Sequence, residues 1–504
     1  MGHSSDADAK QWIAVVAPDL RESLEPLSKQ RRAEGWNVNV LDASSDRAEL
    51  IEKIARLVQE DERCALVLVG DTAETATGTT VAAGKGTQAR MAGKLSDLSW
   101  STADGRLVKP IPTGRLPARS AEEAAAMVRK ILGWPERARS IGPYPYTRFI
   151  VGSHGMPPPF SAMADEQVNR FSLRLSQQLP VRWRFEAMIH INGSPWQISS
   201  VDLATDSDAM MKSPSTILAY MGHAGRGGAE SAKKALLTVN EWHALPASAP
   251  GIGMFFSCGC HTCDFDPGEE AFGFAAIRAA GGPAAVIGSQ GETFAAMGYL
   301  ALSGMLTRMG ANSAPATIGD FWEGAQQGLR EGLIDEADFK LLDMADGSGG
   351  KLSLEAQRAE HLESWMLLGD PAMPLLWESP SIQLNANVSD SGNEVEISGE
   401  CPPSLSNARL RLTIERHPGN IRTDLPEVPP SGESRREATR KRRTLSNDHV
   451  LATTELTAEG TAFKANVPLP SSLPSGSLII RASTLDQPPS AAGTLSIMGK
   501  AGVK

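Results

Sequence analysis

Three short apolar runs near the amino terminus, Trp12–Ala17, Val38–Leu41 and Ala65–Val69, are separated by stretches of helical periodicity, among them Asp46–Glu60. Runs this short and this rich in aliphatic residues read as strands. Strand, helix, strand in that rhythm demands right-handed crossovers and a parallel sheet. The rhythm restarts at Thr147–Val151 and continues through Ser215–Tyr220, Met254–Phe256 and Ala284–Ile287, with helical stretches at Asp165–Leu175, Glu270–Ala280 and Ala295–Met309. The expected fold is α/β, and the chemistry of such sheets sits where the strands stop, at their carboxyl ends.

Two of these strand ends carry reactive groups. Ser215–Tyr220 runs into MGHAG, residues 221–225, and Met254–Phe256 runs into SCGCHTCDFD, residues 257–266. The second stretch holds three of the chain's 5 cysteines, so it is either a metal-ligand set or the seat of a nucleophilic thiol. Structural zinc sites usually join two ligand pairs from separate turns. No second knuckle exists here, and four ligands crowded into one loop would strain it, so no metal is assigned. A thiol nucleophile instead needs a base, because a free thiol with a pKa of about 8.5 is only a few per cent ionised at neutral pH. His223 is the best partner: Gly222 and Gly225 beside it let backbone come close to a substrate. Which of Cys258, Cys260 and Cys263 attacks stays open on residue type alone. His154, in a Ser-His-Gly of its own, is a decoy with no cysteine strand next in order.

The remaining features bound the setting. At 504 residues the chain has room for about three domains. A net charge of -10 argues against general nucleic-acid binding, and no apolar run is long enough to span a membrane. The amino terminus lacks the features of a secretory signal, and an odd number of scattered cysteines suits a reducing compartment, so a cytoplasmic protein is expected. Ser120 followed by Glu123 reads as a capping box at a helix start. The Gly-rich segment 75–87 lacks the spacing of a phosphate-binding loop and reads as a plain loop. From about Ser379 apolar and polar residues alternate in short runs, the pattern of an immunoglobulin-like β-sandwich. Within it, 420–448 is Pro-, Ser- and charge-rich, sustains no helix or strand pattern and reads as a mobile insertion.

The ordered set of motifs resembles a family. LVGD, then Ser-Asp before an aromatic, then GRLPARSAEEAAAMVRKIL, the GH at Gly222-His223, GCHTCDFD, AVIGSQ and SWMLLGDPAMPLL together look like the gingipain-type cysteine peptidases, relatives of caspases. The resemblance implies an amino-terminal α/β subdomain (1–145), a caspase-like catalytic α/β subdomain (146–378) and an immunoglobulin-like domain (379–504). It implies a cysteine endopeptidase acting on proteins or peptides, with no cofactor required and calcium sites permitted. Aligned on its pattern, Cys260 is the nucleophile and His223 its partner, with backbone N–H groups of Cys260 and of Ala224 or Gly225 as oxyanion donors. Two departures stand out: Ala224 occupies a position where the family usually has Gly, and no carboxylate stands where the family supports its histidine. These motivate an alternative, a protease-like fold that binds without turnover. The resemblance puts the pocket for the residue before the cut around Ser289, Gln290, Gly291 and Phe294, with Asp165, at the start of its helix, directing cleavage after Arg or Lys. The alternative for Asp165 is an acid complementing the helix dipole. The arginines between Arg436 and Arg443 read as a solvated strip or as a processing segment.

Overall fold

The computed structural model describes all residues except 1–9, 59–61, 73–79, 89, 154–159, 250, 266–268, 311–316, 378, 390–391, 430–431, 471–475, 487–488, 490 and 499–504. His154 lies outside the described residues. Its centre is a ten-stranded sheet built from β1 (Lys10–Val16), β2 (Asn37–Asp42), β3 (Arg63–Val69), β4 (Thr113–Leu116), β5 (Tyr146–Val151), β6 (Arg184–Ile189), β7 (Ser215–Met221), β8 (Ile252–Ser257), β9 (Ala285–Ser289) and β10 (Trp365–Leu368). Their spatial order is β2-β1-β3-β4-β10-β9-β8-β7-β5-β6. Every neighbouring pair is parallel except β9 with β10, which is antiparallel.

That one seam has a consequence for the site. Two five-stranded parallel blocks run in opposite directions and are zipped into one sheet where Val286 faces Leu368 and Ser289 faces Trp365. The carboxyl ends of β5, β7, β8 and β9 therefore share one edge, and the start of β10 arrives at the same edge. The inner strands β1, β3, β8 and β9 are buried on both faces, as their apolar runs require, whereas the edge strand β2, Asn-Val-Asn-Val-Leu-Asp, is only partly covered.

Several quoted motifs turn out to be struts. Arg115, on β4 and fully buried, grips Asp97 with two bonds (2.8 and 2.7 Å) and donates to the carbonyls of Gly70 and Val81. Asp370, just past β10, accepts from Trp12 Nε1 (3.0 Å), Arg31 Nε (2.8 Å) and the Ala372 N–H (2.9 Å). Where the Gly-rich segment ends, the N–H groups of Thr87 and of the following Gln88 bind the Glu363 carboxylate at 2.8 and 2.9 Å, so the loop holds an anion of the chain's own. Ser120 caps the helix Ala121–Ile141, but Glu123 reaches back to the Arg119 N–H, so only half of the expected box forms.

Beyond β10 the chain forms two antiparallel sheets with a shared apolar core. One pairs Gln383–Val388, Glu394–Glu400 and Ala462–Pro468; the other pairs Val450–Thr457, Arg409–Arg416, Ser477–Thr484 and Ala492–Met498. The insertion 420–448 departs from the expected unpatterned, mobile segment. Residues Glu433–Asn447 form a helix, with Arg436 and Arg440 on the nearly buried Asp202, Arg443 on Asp206, and Arg442 on the Ser194 carbonyl. Asn447 accepts from the Ala187 N–H and donates to its carbonyl (both 2.9 Å), which covers the outer rim of edge strand β6. An exposed edge needs such a cover, and a local sequence pattern does not reveal a partner more than 200 residues away. The arginines read as a solvated strip or processing segment are thus helical, with Arg436, Arg440 and Arg443 in ion pairs and Arg442 on backbone carbonyls. Among the described residues no helix is long and apolar enough to cross a membrane.

Candidate active site

The site grows from the shared carboxyl edge. β7 ends at Met221 and the chain turns through Gly222, which has φ +153°. A Cβ there would lie 2.6 Å from the Tyr220 hydroxyl and 3.1 Å from Gly152 Cα, so only glycine passes. His223 follows, and its carbonyl is pinned twice: the Glu230 N–H donates to it at 2.8 Å and the Tyr220 hydroxyl lies 2.6 Å away. The next residues form a small ribbon, with Ala224 opposite Ala229 and Gly225 opposite Gly228.

β8 ends at Ser257 and delivers the cysteine loop beside this ribbon. Gly259 packs on Ala224 so closely that a Cβ at 259 would sit 2.4 Å from the Ala224 methyl. The side chain that departs from the family pattern is therefore accommodated by a glycine in the facing loop. His261 turns the loop with φ +55°, an uncommon angle for a residue with a side chain, and its N–H donates to the Gly291 carbonyl at 2.9 Å. Its Nδ1 lies 3.2 Å from Asp264 Oδ2. The Cys263 N–H donates to the Ser289 carbonyl at 2.7 Å, so the loops after β8 and β9 are laced together.

The three thiols diverge. Cys263 is fully buried in a slot between Gly273 and Gly288, where added Cβ atoms would meet its Sγ at 2.5 and 2.6 Å. Cys258 is buried against the helix Ala295–Gly310, 3.9 Å from the Gly298 carbonyl. Burial pushes both thiols well above their ordinary range. Cys260 alone is partly exposed. The Thr293 N–H donates to its Sγ at 3.3 Å, and its S–H points to the Thr293 carbonyl at 3.6 Å. Burial pushes the Cys260 thiol upward, the Thr293 bonds pull it back, and the charges of Asp346 and Glu292 add to the rise. Among the described residues no group of three or more His, Cys, Asp and Glu side chains is arranged to hold a metal.

His223 and Cys260 line one cleft together with Gly152, Gly222, Thr293 and Asp346. Residue type had paired the first two, and this geometry brings them together. The expected specificity residues fare differently. The helix that was to start at Asp165 begins at Phe160, which leaves no acid in its first turn, so neither the helix-start placement nor the dipole role applies to Asp165. Asp165 is also absent from the described lining of the cleft. Ser289 and Gln290 are buried, and Ser289 Oγ bonds within its own loop to the Gly291 carbonyl at 3.1 Å. Phe294 is buried beneath the Arg90 guanidinium, 4.3 Å from the ring centroid. Gly291 lines a neighbouring cavity with Arg90, His261, Glu292 and Glu360. From this loop it is Thr293 that faces the cleft.

Four contributors were not visible in the sequence. Thr293 grips the thiol, Tyr220 pins the histidine turn, and Asp346 enters from the end of a distant helix. The fourth, His361, holds the Thr293 loop: its Nε2 accepts from the Phe294 N–H at 3.0 Å while Nδ1 lies 2.7 Å from the Gln357 carbonyl. Full burial lowers its pKa to about 4, which keeps it neutral and able to accept that bond. A lone His inside a polar helical stretch carries no local signal of this duty.

Comparisons with known proteins agree with the architecture. A solved structure described as a protease is 15% identical, with TM-score 0.53 and 97% of each chain covered. The complex of Porphyromonas gingivalis RgpB pro- and mature domains is 12% identical, with TM-score 0.52, covering 97% of this chain and 99% of that one. The Arg-specific cysteine proteinase gingipain R is also 12% identical, with TM-score 0.52 and 99% of each chain covered. These identities speak for the fold. No curated protein sequence matches the chain. The sequence profile of peptidase family C25 matches residues 5–376, nearly all of the α/β unit. The chain therefore belongs to peptidase family C25, the gingipain family of cysteine peptidases.

Proposed function

We propose that this protein is a cysteine endopeptidase working through a Cys260–His223 dyad. One observation carries the reading: His223 and Cys260, delivered by adjacent parallel strands, line the same cleft. The family implies protein or peptide substrates. Because burial raises the Cys260 thiol, the resting group is the neutral thiol, and His223 takes its proton as the sulfur attacks the peptide carbonyl. Backbone N–H groups of Cys260 and of Ala224 or Gly225 hold the developing oxyanion, His223 returns the proton to the leaving amine, and water releases the acyl-enzyme. The packing of Ala224 on Gly259 supports the catalytic reading over binding without turnover, because the facing loop makes room for the methyl group that departs from the family pattern. The same proposal includes a caspase-like catalytic unit, an immunoglobulin-like carboxyl-terminal sandwich, cleavage after basic residues and a cytoplasmic location.

The test is peptide turnover by four proteins. Cys260→Ala abolishes cleavage of a peptide library, whereas Cys258→Ala and Cys263→Ala, checked for folding by thermal melts, retain cleavage close to that of the wild type. Turnover that survives in Cys260→Ala and disappears in a folded Cys258→Ala would transfer the role to Cys258.

A further inference from the structure

The turn that carries His223 is held from behind by a second histidine, which lies outside the described lining of the cleft. His190 follows directly after β6, and its N–H donates to the Val151 carbonyl at the end of β5 (2.9 Å). Its ring bridges two hydroxyls: Nδ1 lies 2.7 Å from Ser231 Oγ and Nε2 lies 2.9 Å from Ser200 Oγ. Ser231 is fully buried and ends Gly228–Ser231, the middle strand of the ribbon that begins at Ala224.

These bonds have one consistent direction. The Ser153 N–H, just past β5, donates to Ser231 Oγ at 2.7 Å, so that oxygen is already an acceptor and its own hydrogen goes to His190 Nδ1. Nδ1 is then the bare nitrogen, and Nε2 carries the proton that it donates to Ser200. The opposite tautomer would leave the buried Ser231 hydroxyl hydrogen with no acceptor among the described residues. Burial, with the charge of Lys234 second, lowers the pKa of His190, which favours the neutral ring that this pattern needs.

The hold reaches His223 in one step. Glu230, next to Ser231, donates its N–H to the His223 carbonyl (2.8 Å), and the Tyr220 hydroxyl lies 2.6 Å from that carbonyl and 2.7 Å from the Glu230 carbonyl. The Ala232 N–H donates back to the Ser153 carbonyl at 3.2 Å, so the ribbon is sewn twice to the end of β5. On the far side of the ring, the loop that carries Ser200 is closed by Ser199 on Asp202 (2.8 Å), and Arg436 and Arg440 grip the same Asp202.

We infer that His190 is a positioning residue of the dyad: by bridging Ser231 and Ser200 it holds the ribbon whose backbone fixes the His223 turn, and so sets how His223 meets Cys260. The inference rests on the dyad reading. His190 acts through His223 alone, which gives it a signature that a merely structural residue lacks.

Peptide turnover is measured for wild type, His190→Ala, His190→Gln, Ser231→Ala, His223→Ala and the double variant His190→Ala with His223→Ala. Amide hydrogen exchange of the ribbon and of β1 to β3 is followed by mass spectrometry in the same proteins. His190→Ala lowers kcat about 10- to 100-fold with KM within about twofold of the wild type, because a displaced base weakens the transition state and not the bound substrate. His190→Gln restores most of the loss, since its amide oxygen and N–H can replace Nδ1 and Nε2–H. In the His223→Ala background His190→Ala costs nothing further, because the group it positions is gone. Exchange over 224–231 is faster in His190→Ala and unchanged over β1 to β3, which checks the fold. Ser231→Ala, a change of one buried oxygen, shows the same loss of kcat and carries the test where His190→Ala does not fold. A kcat unchanged in the folded variants, or a His190→Ala loss that adds in full to that of His223→Ala, overturns the assignment. A wild type that turns over no peptide refutes the dyad reading instead. The exchange then decides the hold of His190 on the His223 turn: faster exchange over 224–231 that His190→Gln reverses sustains it, and unchanged exchange removes it.

Discussion

Replacing His223 with alanine should lower kcat/KM on peptides by a factor of about 10³ to 10⁴, with little change in the melting temperature. The size follows from the state of the thiol. Cys260 sits where burial favours the neutral form, and its hydrogen bonds to Thr293 offset only part of that. Without a base at 223 the attack must wait for the small thiolate fraction that exists in water, and the leaving amine loses its proton donor. The fold should tolerate the change, because alanine keeps the residue 223 carbonyl that Tyr220 and Glu230 bind. The loss should be greatest near neutral pH and should shrink as pH rises through the raised pKa of the thiol, where hydroxide removes the proton unaided. A loss of activity matched by a loss of thermal stability would instead mean that the imidazole serves the fold.

The largest effect on stability is expected far from the cleft, at Asp370. Its carboxylate is fully buried and receives Trp12, Arg31 and the Ala372 N–H, which ties the first strand, the first long helix and the segment after β10 to one point. Asp370→Ala leaves the buried Arg31 guanidinium with the partly exposed Glu34 as its remaining partner and Trp12 Nε1 without its acceptor, and breaking a buried pair of this kind costs about 3–5 kcal/mol. Denaturant unfolding followed by tryptophan fluorescence should show the midpoint shift. The combined replacement Arg31→Met with Asp370→Leu should cost less than Asp370→Ala, because it removes both charges together. An Asp370→Ala protein as stable as the wild type would mean that Arg31 finds a new partner.

How much of this was legible in the sequence depended on whether the signal was local. The buried strands were, because apolar runs such as Ala65–Val69 and Met254–Phe256 mean the same thing wherever they occur. So was the helix predicted from Asp46, which caps it by accepting from the Ala48 N–H at 2.8 Å. His223 and Cys260 could be paired because each follows a strand end, and strand ends of a parallel sheet share an edge. What was lost depended on distant partners. The antiparallel seam joins Ser289 to Trp365, the helix Glu433–Asn447 owes its place to Asp202 and Asp206, and Asp346 reaches the cleft only because its helix packs on two others. The basic run looked solvated because nothing in its neighbourhood announces two aspartates more than 200 residues earlier.

The measurement that tests the central claim most directly is the rate at which iodoacetamide labels each cysteine of the folded protein as a function of pH, mapped by mass spectrometry, in wild type and His223→Ala. Cys260 should react first, with Cys258 and Cys263 protected until the protein unfolds. Its rate near neutral pH should fall in His223→Ala, and the two proteins should converge at a pH above the ordinary thiol value of about 8.5. Preferential labelling of Cys258 or Cys263, or a Cys260 rate indifferent to His223 across the whole range, would contradict the account.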